Sequence, residues 1–519
     1  MGSRTKNSAR NIIFSELSYA AILILQFANR SFFIRYLPGE YLSLNGLFSN
    51  ILSFLSLAEL GIGGAINFAL YKPLKEQDTE TLKSIMALYR RFYIFTGLTV
   101  LGSGCVLAPF LPPFIKEAPT HIGHMYLYFF LYLADSGISY LYAYKRSLII
   151  CDQKEYMVSI ITSLFHIAIK LLQIVSLFLF RSYTVYLSLM IGASLLQNLM
   201  IAMLADKMYP FLKDKRKKKL SPEISKDIKK NAYALLFQKI GAVIVYATDN
   251  LIISRFVGFS SVGVYSNYTL VIQAVQTAAY RFFDSITASI GDFAAANGKR
   301  EVEKILYRVL FINGWMFCFC SACLFCLLQP FIRLWAGEHY LLSDKTLVVI
   351  ILNFYLEGMR ATLVTFKRAI GLFWQTRYRP IFEGFLNLAV SIPLAVRFGV
   401  AGTLLGTIIS TCCMSGLLEP YLLYRSYFKK GFWEFMLCHA KYAAIAFGAS
   451  CLTMFGCSLV SMRPIAGFMV KAALCMIIPN LFMAFMFRKN ENYIYLKKFV
   501  VQFLKKKIPG SYLCSRSTK

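Results

Sequence analysis

The chain has 519 residues, of which 57% are hydrophobic and only 16% are charged, and its mean hydropathy is +0.55. Soluble domains are about half apolar and about a quarter charged, so this composition excludes an ordinary soluble protein and indicates that lipid is the main solvent. A formal net charge of +30 would suit a nucleic-acid-binding protein, but Lys and Arg cluster in short segments between apolar runs, which is the pattern that orients helices in a membrane. Nucleic acid is therefore not an expected partner.

Apolar runs long enough to cross a hydrocarbon core of ~30 Å recur from Asn11 to Phe487. Such spans must be helices, because an open sheet edge would leave backbone groups unpaired in lipid, and the runs lack the strict alternation of a β-barrel. The predicted fold class is an all-α integral membrane protein with about 14 transmembrane helices. The predicted spans are 11–36, 42–70, 85–111, 123–148, 156–180, 184–206, 232–256, 262–290, 305–334, 345–371, 379–398, 400–424, 438–460 and 465–487.

The distribution of basic residues predicts the orientation of these spans. An even number of spans places both termini on the same side of the membrane. When the termini are taken as cytoplasmic, the even-numbered connections hold most of the Lys and Arg, including the dense run from Lys213 to Lys230. Short cytoplasmic loops of membrane proteins carry an excess of basic residues, so both termini are predicted to be cytoplasmic.

The longest internal connection divides the spans into two similar halves. An offset that aligns Gly39 with Gly258 also aligns Arg30 with Asp249, and the start of the first span with that of the seventh. Both halves start on the cytoplasmic side, so the repeat is predicted to be parallel, related by an axis along the membrane normal. The predicted organisation is an N-terminal six-helix bundle at 1–206, a basic cytoplasmic linker at 207–231, a second six-helix bundle at 232–427, two additional transmembrane helices at 428–487 and a basic amphipathic cytoplasmic tail at 488–519.

Ionisable side chains inside the spans are costly unless they are paired or hydrated, so they mark a cavity or a pathway. The deep cations are predicted to bind substrate, and three acids are predicted to balance charge or to couple to cations. The cations are Arg30, Lys170, Lys239, Arg281 and Arg360, and the acids are Glu59, Asp249 and Asp284. Arg281 and Asp284 lie on one helix face, as do Arg360 and a further acid, Glu357, so the members of each pair can neutralise each other.

For the set as a whole, the sequence predicts a partly cationic cavity between the two bundles. Unpaired positive charge persists inside a membrane only where water or an anion reaches it. A lipid diphosphate matches such a cavity, since the Arg guanidinium presents a planar fork to phosphate oxygens.

The sequence lacks the residue patterns that several kinds of chemistry require. There is no G-x-x-x-x-G-K-[ST] motif, so an ATP motor within the chain is not expected. Cys318, Cys320, Cys323 and Cys326 lie in an apolar run without a neighbouring His or acid, and we interpret them as small hydrophobic residues rather than metal ligands. His166 lies alone deep in a span, and no connection is long enough for a catalytic domain. The sequence predicts movement of a substrate, with no enzymatic reaction, cofactor or metal.

Several segments resemble a known family of transporters. They are LSLAELGIGGAINFALYKPL ending at Leu74, TDNLIISRFVGFSSVGVYSNY from Thr248, TFKRAIGLFWQTRYRP from Thr365, and FLNLAVSIPLAVRFGVAGTLLGTIIS from Phe385. These segments are similar to those of bacterial polysaccharide flippases of the Wzx type. This O-antigen and capsule exporter branch of the MOP superfamily is related to multidrug (MATE) exporters and lipid II flippases. The resemblance covers residues 11–487.

The resemblance implies two six-helix bundles in a V-shaped pair, with two further C-terminal helices. It implies a flippase in the bacterial cytoplasmic membrane that moves undecaprenyl-diphosphate-linked oligosaccharide repeat units from the inner to the outer leaflet by alternating access, for capsule or other surface polysaccharide synthesis. Membrane lipids are the other expected partner, and contact with polysaccharide polymerase machinery is left open. Relatives depend on cationic cavity residues in spans one, two, seven, eight and ten. The matching spans here contain Arg30, Glu59, Lys239, Asp249, Arg281 and Arg360.

One departure from the family pattern and two alternative functions remain. Where many relatives carry an acid after the TF of span ten, this chain has Lys367 and Arg368, which puts ion coupling through that position in doubt. A multidrug exporter of the same fold would expel organic cations, which an excess of buried positive charge disfavours. A membrane glycosyl- or acyltransferase would need a partner for His166 or an acid pair beside a substantial loop.

Overall fold

The computed structural model describes residues 2–59, 62–114, 124–213, 248–372 and 375–498, together with scattered positions between 221 and 244. Nearly all of the described residues are helical and none of them forms a strand. The predicted all-α class is therefore confirmed.

Helices make up nearly all of the described chain. In chain order they are α1 (Gly2–Tyr36), α2 (Glu40–Leu55), α3 (Ile62–Glu76), α4 (Thr79–Leu107), α5 (Met125–Leu141), α6 (Ala143–Cys151), α7 (Glu155–Phe180), α8 (Tyr183–Met208), α9 (Asp249–Ile252), α10 (Phe259–Ala296), α11 (Lys299–Trp335), α12 (Asp344–Met359), α13 (Ala361–Ile370), α14 (Arg379–Thr411), α15 (Glu419–Leu423), α16 (Trp433–Ser458) and α17 (Pro464–Met486).

In the part of the chain that the structure describes, nine helices are long and apolar enough to cross a membrane. The longest of them, Arg379–Phe428, contains two of the predicted spans. Helices of this length and composition are stable in lipid because each satisfies its own backbone hydrogen bonds. The chain is a multi-pass membrane protein.

Three predicted spans are interrupted in the structure. The span 42–70 contains a 3₁₀ turn at Ser56–Glu59, the span 123–148 breaks at Tyr142, and the span 345–371 breaks at Arg360. The runs stay apolar on average despite single charged residues such as Glu59 and Arg360, so hydropathy alone predicts one helix where the backbone forms two. Part of the span 232–256, and residues 499–519 of the predicted amphipathic tail, lie outside the described residues, while 491–498 is helical.

The boundary predicted between residues 398 and 400 lies at a sharp bend within α14. Gly399 has φ +61° and ψ −138°, a backbone conformation that a residue with a Cβ adopts only under strain. The two halves of α14 then lie in close contact, since a Cβ on Gly402 would stand 1.9 Å from the carbonyl oxygen of Leu394. The bend therefore needs glycine both for its dihedral angles and for its packing.

The same kind of helix start occurs at equivalent positions in the two halves of the chain. Gly39 directly precedes α2, and Gly258 directly precedes α10. The offset found in the sequence thus aligns two equivalent helix starts, as expected of an internal repeat.

The chain divides into two compact units. The first comprises Met1–Ala274, Trp335–Ile350 and Phe373–Leu418, and the second comprises Val275–Leu334, Ile351–Leu372 and Glu419–Lys519. Both units are assembled from segments distant in sequence. The division at 206, 231, 427 and 487 stays a prediction.

In the first unit, α1 packs along α7, and α8 packs against both α5 and α7. Aromatic rings fill this contact region: the ring centroid of Tyr183 lies 4.6 Å from that of Tyr41 and 4.9 Å from that of Tyr128, and Phe33 meets Tyr186 edge-on. Such pairs add about 0.5–1.5 kcal/mol each beyond the area they bury. This packing positions the polar side chains of α1, α7 and α8 described below.

A buried ionic cluster anchors the first half of α14 in the same unit. Arg379 donates to Glu383 at 2.6 Å and also to the hydroxyl of Ser415. The second carboxylate oxygen of Glu383 accepts from Ser415 at 2.9 Å and from Thr411 at 3.2 Å. All four residues are buried, so the charges are compensated by each other and by hydroxyl groups rather than by water.

Replacing Glu383 by alanine should therefore destabilise the protein by about 3–5 kcal/mol, because the Arg379 charge would be left buried without its partner. Glutamine at this position keeps hydrogen-bonding oxygen and should cost less. Unfolding of the purified protein in detergent measures both. The matched control is Glu301→Ala, which breaks an exposed ion pair with Lys304 and should leave stability unchanged. Equal stability of Glu383→Ala and Glu301→Ala would show that the buried cluster is not a stabilising contact.

Candidate functional site

Two adjoining cavities lie within the first compact unit. The larger, of about 500 Å³, is lined by α2, α5, α7 and α8, and the smaller, of about 100 Å³, adds residues of α1 and α10. Asn45, Lys170 and Tyr186 line both cavities, so the two spaces share a wall. Most of this shared wall is polar, although the surrounding helices are apolar.

Two of the predicted cations meet at these cavities. Lys170 on α7 lines both spaces, and Arg30 on α1 lines the smaller one. Both side chains line the smaller cavity, so two positive charges face the same space. Among the described residues, no carboxylate lies within ion-pair distance of either cation. The smaller cavity therefore carries positive charge that its described walls do not neutralise.

Neutral polar groups hold this region in place. The amide of Gln173 accepts from Asn29 at 2.8 Å and from the ammonium of Lys170 at 3.3 Å, and it donates to the carbonyl of Tyr186 at 3.4 Å. Arg30 has a longer contact, 3.4 Å, to the hydroxyl of Ser266. These bonds orient the two cations without removing their charge.

Sequence analysis missed Asn29 and Gln173 as positioning residues. Both are buried polar residues in apolar spans, and that is the only signal the sequence carries for them. The larger cavity also has one carboxylate among its lining residues, Asp135 on α5, together with the aromatic ring of Tyr132. Together, the described walls of the two cavities present two cations, one acid and aromatic surface.

The predicted cation Lys239 and the predicted acid Glu59 form an ion pair, with 2.5 Å between the ammonium and the carboxylate. Each side chain is 25% exposed. The other oxygen of Glu59 accepts from the hydroxyl of Tyr93 at 3.0 Å. A Cβ on Gly63 would stand 2.7 Å from this carboxylate, so the glycine lets the charged group lie against α3. The pair joins parts of the first unit that lie on either side of the basic linker.

The remaining predicted cations belong to the second compact unit. Arg360 donates to Glu357 at 2.8 Å, the neighbour that the spacing on the helix predicted. Arg281 is half-buried on α10, and Asp284, one turn further, forms an exposed pair with Arg368 at 3.0 Å. These side chains are not among the residues that line the two cavities.

The basic pair that departs from the family pattern is also paired with acids in the second unit. Lys367 contacts the buried carboxylate of Glu419 at 2.6 Å, while Arg368 contacts Asp284. Span ten thus presents its positive charges to acids of its own unit.

Asp249, at the start of α9, lies in a network of oxygen-bearing side chains in the first unit. Its carboxylate accepts from the hydroxyl of Thr407 at 3.4 Å, and Thr407 accepts from the amide of Asn387 at 2.9 Å. The carbonyl oxygen of Asn387 is 3.5 Å from the hydroxyl of Thr248. Carboxylate, amide and hydroxyl oxygens are the ligands that hard cations prefer. The described residues that line the cavities include Arg30 but not Asp249, and the predicted facing of these two residues stays a prediction.

Charged side chains thus surround two cavities in an all-helical multi-pass chain. No protein-family model matches the sequence, and no curated protein matches it.

Solved structures, by contrast, share the fold over most of the chain. The lipid II flippase MurJ in an inward closed conformation is similar with a TM-score of 0.66 and 15% identity, over 92% of this chain and 99% of that one. An inward-facing multidrug resistance MATE family transporter of the MOP superfamily has a TM-score of 0.57 and 13% identity, over 78% of this chain and 94% of that one. A third is a MOP superfamily transporter from Pyrococcus furiosus, for which reverse polarity of the binding pocket suggests a different function, with a TM-score of 0.55 and 13% identity over 81% and 96%. The chain therefore has the fold of the MOP superfamily transporters.

Proposed function

We propose that this protein is a flippase that moves undecaprenyl-diphosphate-linked oligosaccharide repeat units from the inner to the outer leaflet of the bacterial cytoplasmic membrane. The material is used for capsule or another surface polysaccharide. The observation that carries the proposal is the pair of cations, Arg30 and Lys170, which face the cavities without a carboxylate partner among the described residues. The similarity to a lipid II flippase supports a lipid-linked substrate.

The electrostatics of the cavity favour an anionic substrate. Two cations held close together in a low-dielectric region repel each other, and a diphosphate that enters between them offsets this cost. Arg30 would contact the phosphate oxygens through its planar fork, and Lys170 would act as a compact point charge. Organic cations, the substrates of a multidrug exporter, would meet repulsion in the same place. The geometry thus favours the flippase over the multidrug alternative.

The ion pairs of the other predicted cations define their role in the proposal. Lys239 and Arg360 are compensated by Glu59 and Glu357, so they do not offer free charge in this conformation. The Glu59–Lys239 pair would break and reform as the two predicted bundles rock between inward-open and outward-open states. It would then act as a conformational contact of the transport cycle rather than as a permanent substrate ligand.

The experiment that tests the function is depletion of the protein in its own host, with two readouts in the same cells. We expect lipid-diphosphate-linked oligosaccharide to accumulate on the cytoplasmic face while surface polysaccharide is lost. The mass of the accumulated lipid identifies the repeat unit. Unchanged lipid-linked oligosaccharide together with raised sensitivity to cationic drugs would contradict the proposal and favour the multidrug exporter.

We further infer that Asp249 couples transport to a monovalent cation, because its carboxylate lies among amide and hydroxyl oxygens of α14. The Asp249→Asn variant should lose at least about tenfold of the stimulation that a cation gradient gives, which is about 1.4 kcal/mol of coupling. Flipping of labelled lipid diphosphate oligosaccharide in proteoliposomes, with and without a sodium or proton gradient, measures this. The matched control is Asp284→Asn, whose carboxylate is exposed beside Arg368, and it should keep the gradient dependence. If the Asp249→Asn variant also keeps the dependence of flipping on the cation gradient, then another group couples transport to the cation.

The orientation belongs to the same proposal. Both termini and the linker at 207–231 would face the cytoplasm, where the anionic inner leaflet attracts their basic residues. Contact with polysaccharide polymerase machinery would then involve the outer face, to which the repeat unit is delivered.

A further inference from the structure

Three cysteine thiols from three different helices meet inside the second compact unit. Cys326 lies on α11, Cys457 on α16 and Cys475 on α17, and their sulfur atoms all lie within 4.8 Å of one another. The sulfurs of Cys457 and Cys475 are 3.8 Å apart. Cys457 and Cys475 are buried and Cys326 is half-buried. We refer to these three residues as the thiol cluster.

A fourth cysteine supports the cluster from the same helix as Cys326. The thiol of Cys323 donates to the carbonyl oxygen of Cys475 at 3.4 Å. Sequence analysis interpreted the cysteines of this apolar run as hydrophobic residues because no His or acid stands near them. The partners of Cys326 are two further cysteines more than a hundred residues along the chain, and they lie on the last two helices, α16 and α17.

The spacing of the sulfurs suits a metal ion at their centre. A metal–thiolate bond of about 2.3 Å in a trigonal plane places the three sulfurs about 4.0 Å apart. The pair Cys457–Cys475 already has this separation, and the remaining distances need to contract by less than about 1 Å. Small rotations about χ1 provide such movement without displacing a helix.

The donor set selects the kind of metal. Among the described residues the cluster contains only sulfur, with no imidazole and no carboxylate. Soft thiolates select Cu(I) over the hard divalent ions, while structural zinc takes four ligands in a tetrahedron. We propose that the thiol cluster binds one Cu(I) ion through Cys326, Cys457 and Cys475.

A nearby positive charge favours the thiolate forms that bind the metal. Lys471 lies one turn before Cys475, and its positive charge acts on Cys457 and Cys475. Cu(I) bound to three thiolates carries a net charge of −2, and the Lys471 ammonium offsets half of it. Binding then releases three protons and changes no oxidation state. The ion would fasten α16 and α17, the two additional helices, to α11.

The test uses the full-length protein, purified in detergent under anaerobic, reducing conditions. It is titrated with Cu(I) in the presence of a chromogenic Cu(I) chelator. We expect one copper per chain to resist the chelator in the wild type, and at least a hundredfold weaker retention in Cys475→Ser and in Cys457→Ser. The matched control is Cys105→Ser, an exposed thiol of the first unit, which should retain the copper. X-ray absorption of the loaded wild type should show three sulfur neighbours at about 2.3 Å.

Three results would overturn the proposal. The first is equal copper retention by the wild type and both serine variants, and the second is retention of zinc in place of copper. The third is a Cys457–Cys475 disulfide in the reduced preparation, found by peptide mass, with no copper bound. If the buried variants fail to elute as a single species, Cys326→Ser replaces them, because its half-buried position tolerates the change better. Copper should also raise the Tm of the wild type and leave that of Cys326→Ser unchanged.

Discussion

Replacing Arg30 by alanine should abolish export of the lipid-linked oligosaccharide while the protein remains in the membrane at its normal level. Arg30 and Lys170 face the cavities with no carboxylate partner among the described residues, so the substrate diphosphate is their expected counterion. A hydrogen bond to a charged group contributes about 1.5–3 kcal/mol, and loss of the charge also leaves phosphate oxygens desolvated. Together these effects predict a reduction of about a hundredfold or more in the flipping rate.

The size of the effect should depend on the shape of the cation as well as on its charge. Arg30→Lys keeps the charge but loses the planar fork, so it should retain intermediate activity. Lys170→Ala should lose activity to a degree similar to Arg30→Ala, and Arg281→Ala should also lose it if the second unit contributes to the substrate path. Rescue of depleted cells, combined with flipping in proteoliposomes and with the protein level by immunoblot, measures each variant.

The matched control is Arg91→Ala, an exposed cation on α4 that lines neither cavity, and it should export normally. Normal export by both Arg30→Ala and Arg281→Ala would refute the cationic-cavity mechanism. Loss of protein from the membrane in Arg30→Ala would instead indicate a structural role for the contact with Ser266.

Reversing one charge of the Glu59–Lys239 pair should block transport, and reversing both should restore much of it. Glu59→Lys and Lys239→Glu each place like charges where the structure has an ion pair of 2.5 Å. The pair joins helices on the two sides of the basic linker, so repulsion there should bias the protein away from the conformation described here. Groups in contact have interaction energies of about 0.5–3 kcal/mol, which corresponds to roughly 2- to 150-fold in rate.

The measurement is a double-mutant cycle on the flipping rate. The double variant Glu59→Lys with Lys239→Glu should exceed the product of the two single effects by at least about fivefold, or ~1 kcal/mol. The same exchange in the exposed pair Glu301 and Lys304 should have no effect on transport. Simple multiplication of the single effects would show that the two residues act independently and that the pair is not part of the transport cycle.

The lengths of the apolar runs in the sequence were enough to predict most of the helices. Lipid offers no hydrogen bonds to the backbone, so each long apolar run had to become a helix, and described helices cover all but one of the predicted spans. The interruptions at Ser56–Glu59, Tyr142 and Arg360 could not be predicted in this way. Each lies inside a run that is apolar enough on average for a single span, so local packing rather than average composition decides where the backbone bends.

Local spacing predicted the ion pair of Glu357 with Arg360, because side chains three residues apart along helical backbone lie close together. The partners of the other charges depend on helices brought together by folding. Whether Lys239 pairs with Glu59, and whether Arg30 and Lys170 share a cavity, follows from the packing of α1 against α7 and of the segments around the linker.

The sequence by itself thus determined that this protein spans a membrane repeatedly and carries an excess of positive charge within its spans, because both properties follow from composition along a single helix. Only the tertiary structure decided which cations are compensated and which remain available to an anion, and only it brought Cys326, Cys457 and Cys475 together. Electrostatic and ligand contacts act over a few ångströms between residues that can be far apart in the chain. Their pairing is therefore a property of the packing and cannot be deduced from the order of the residues.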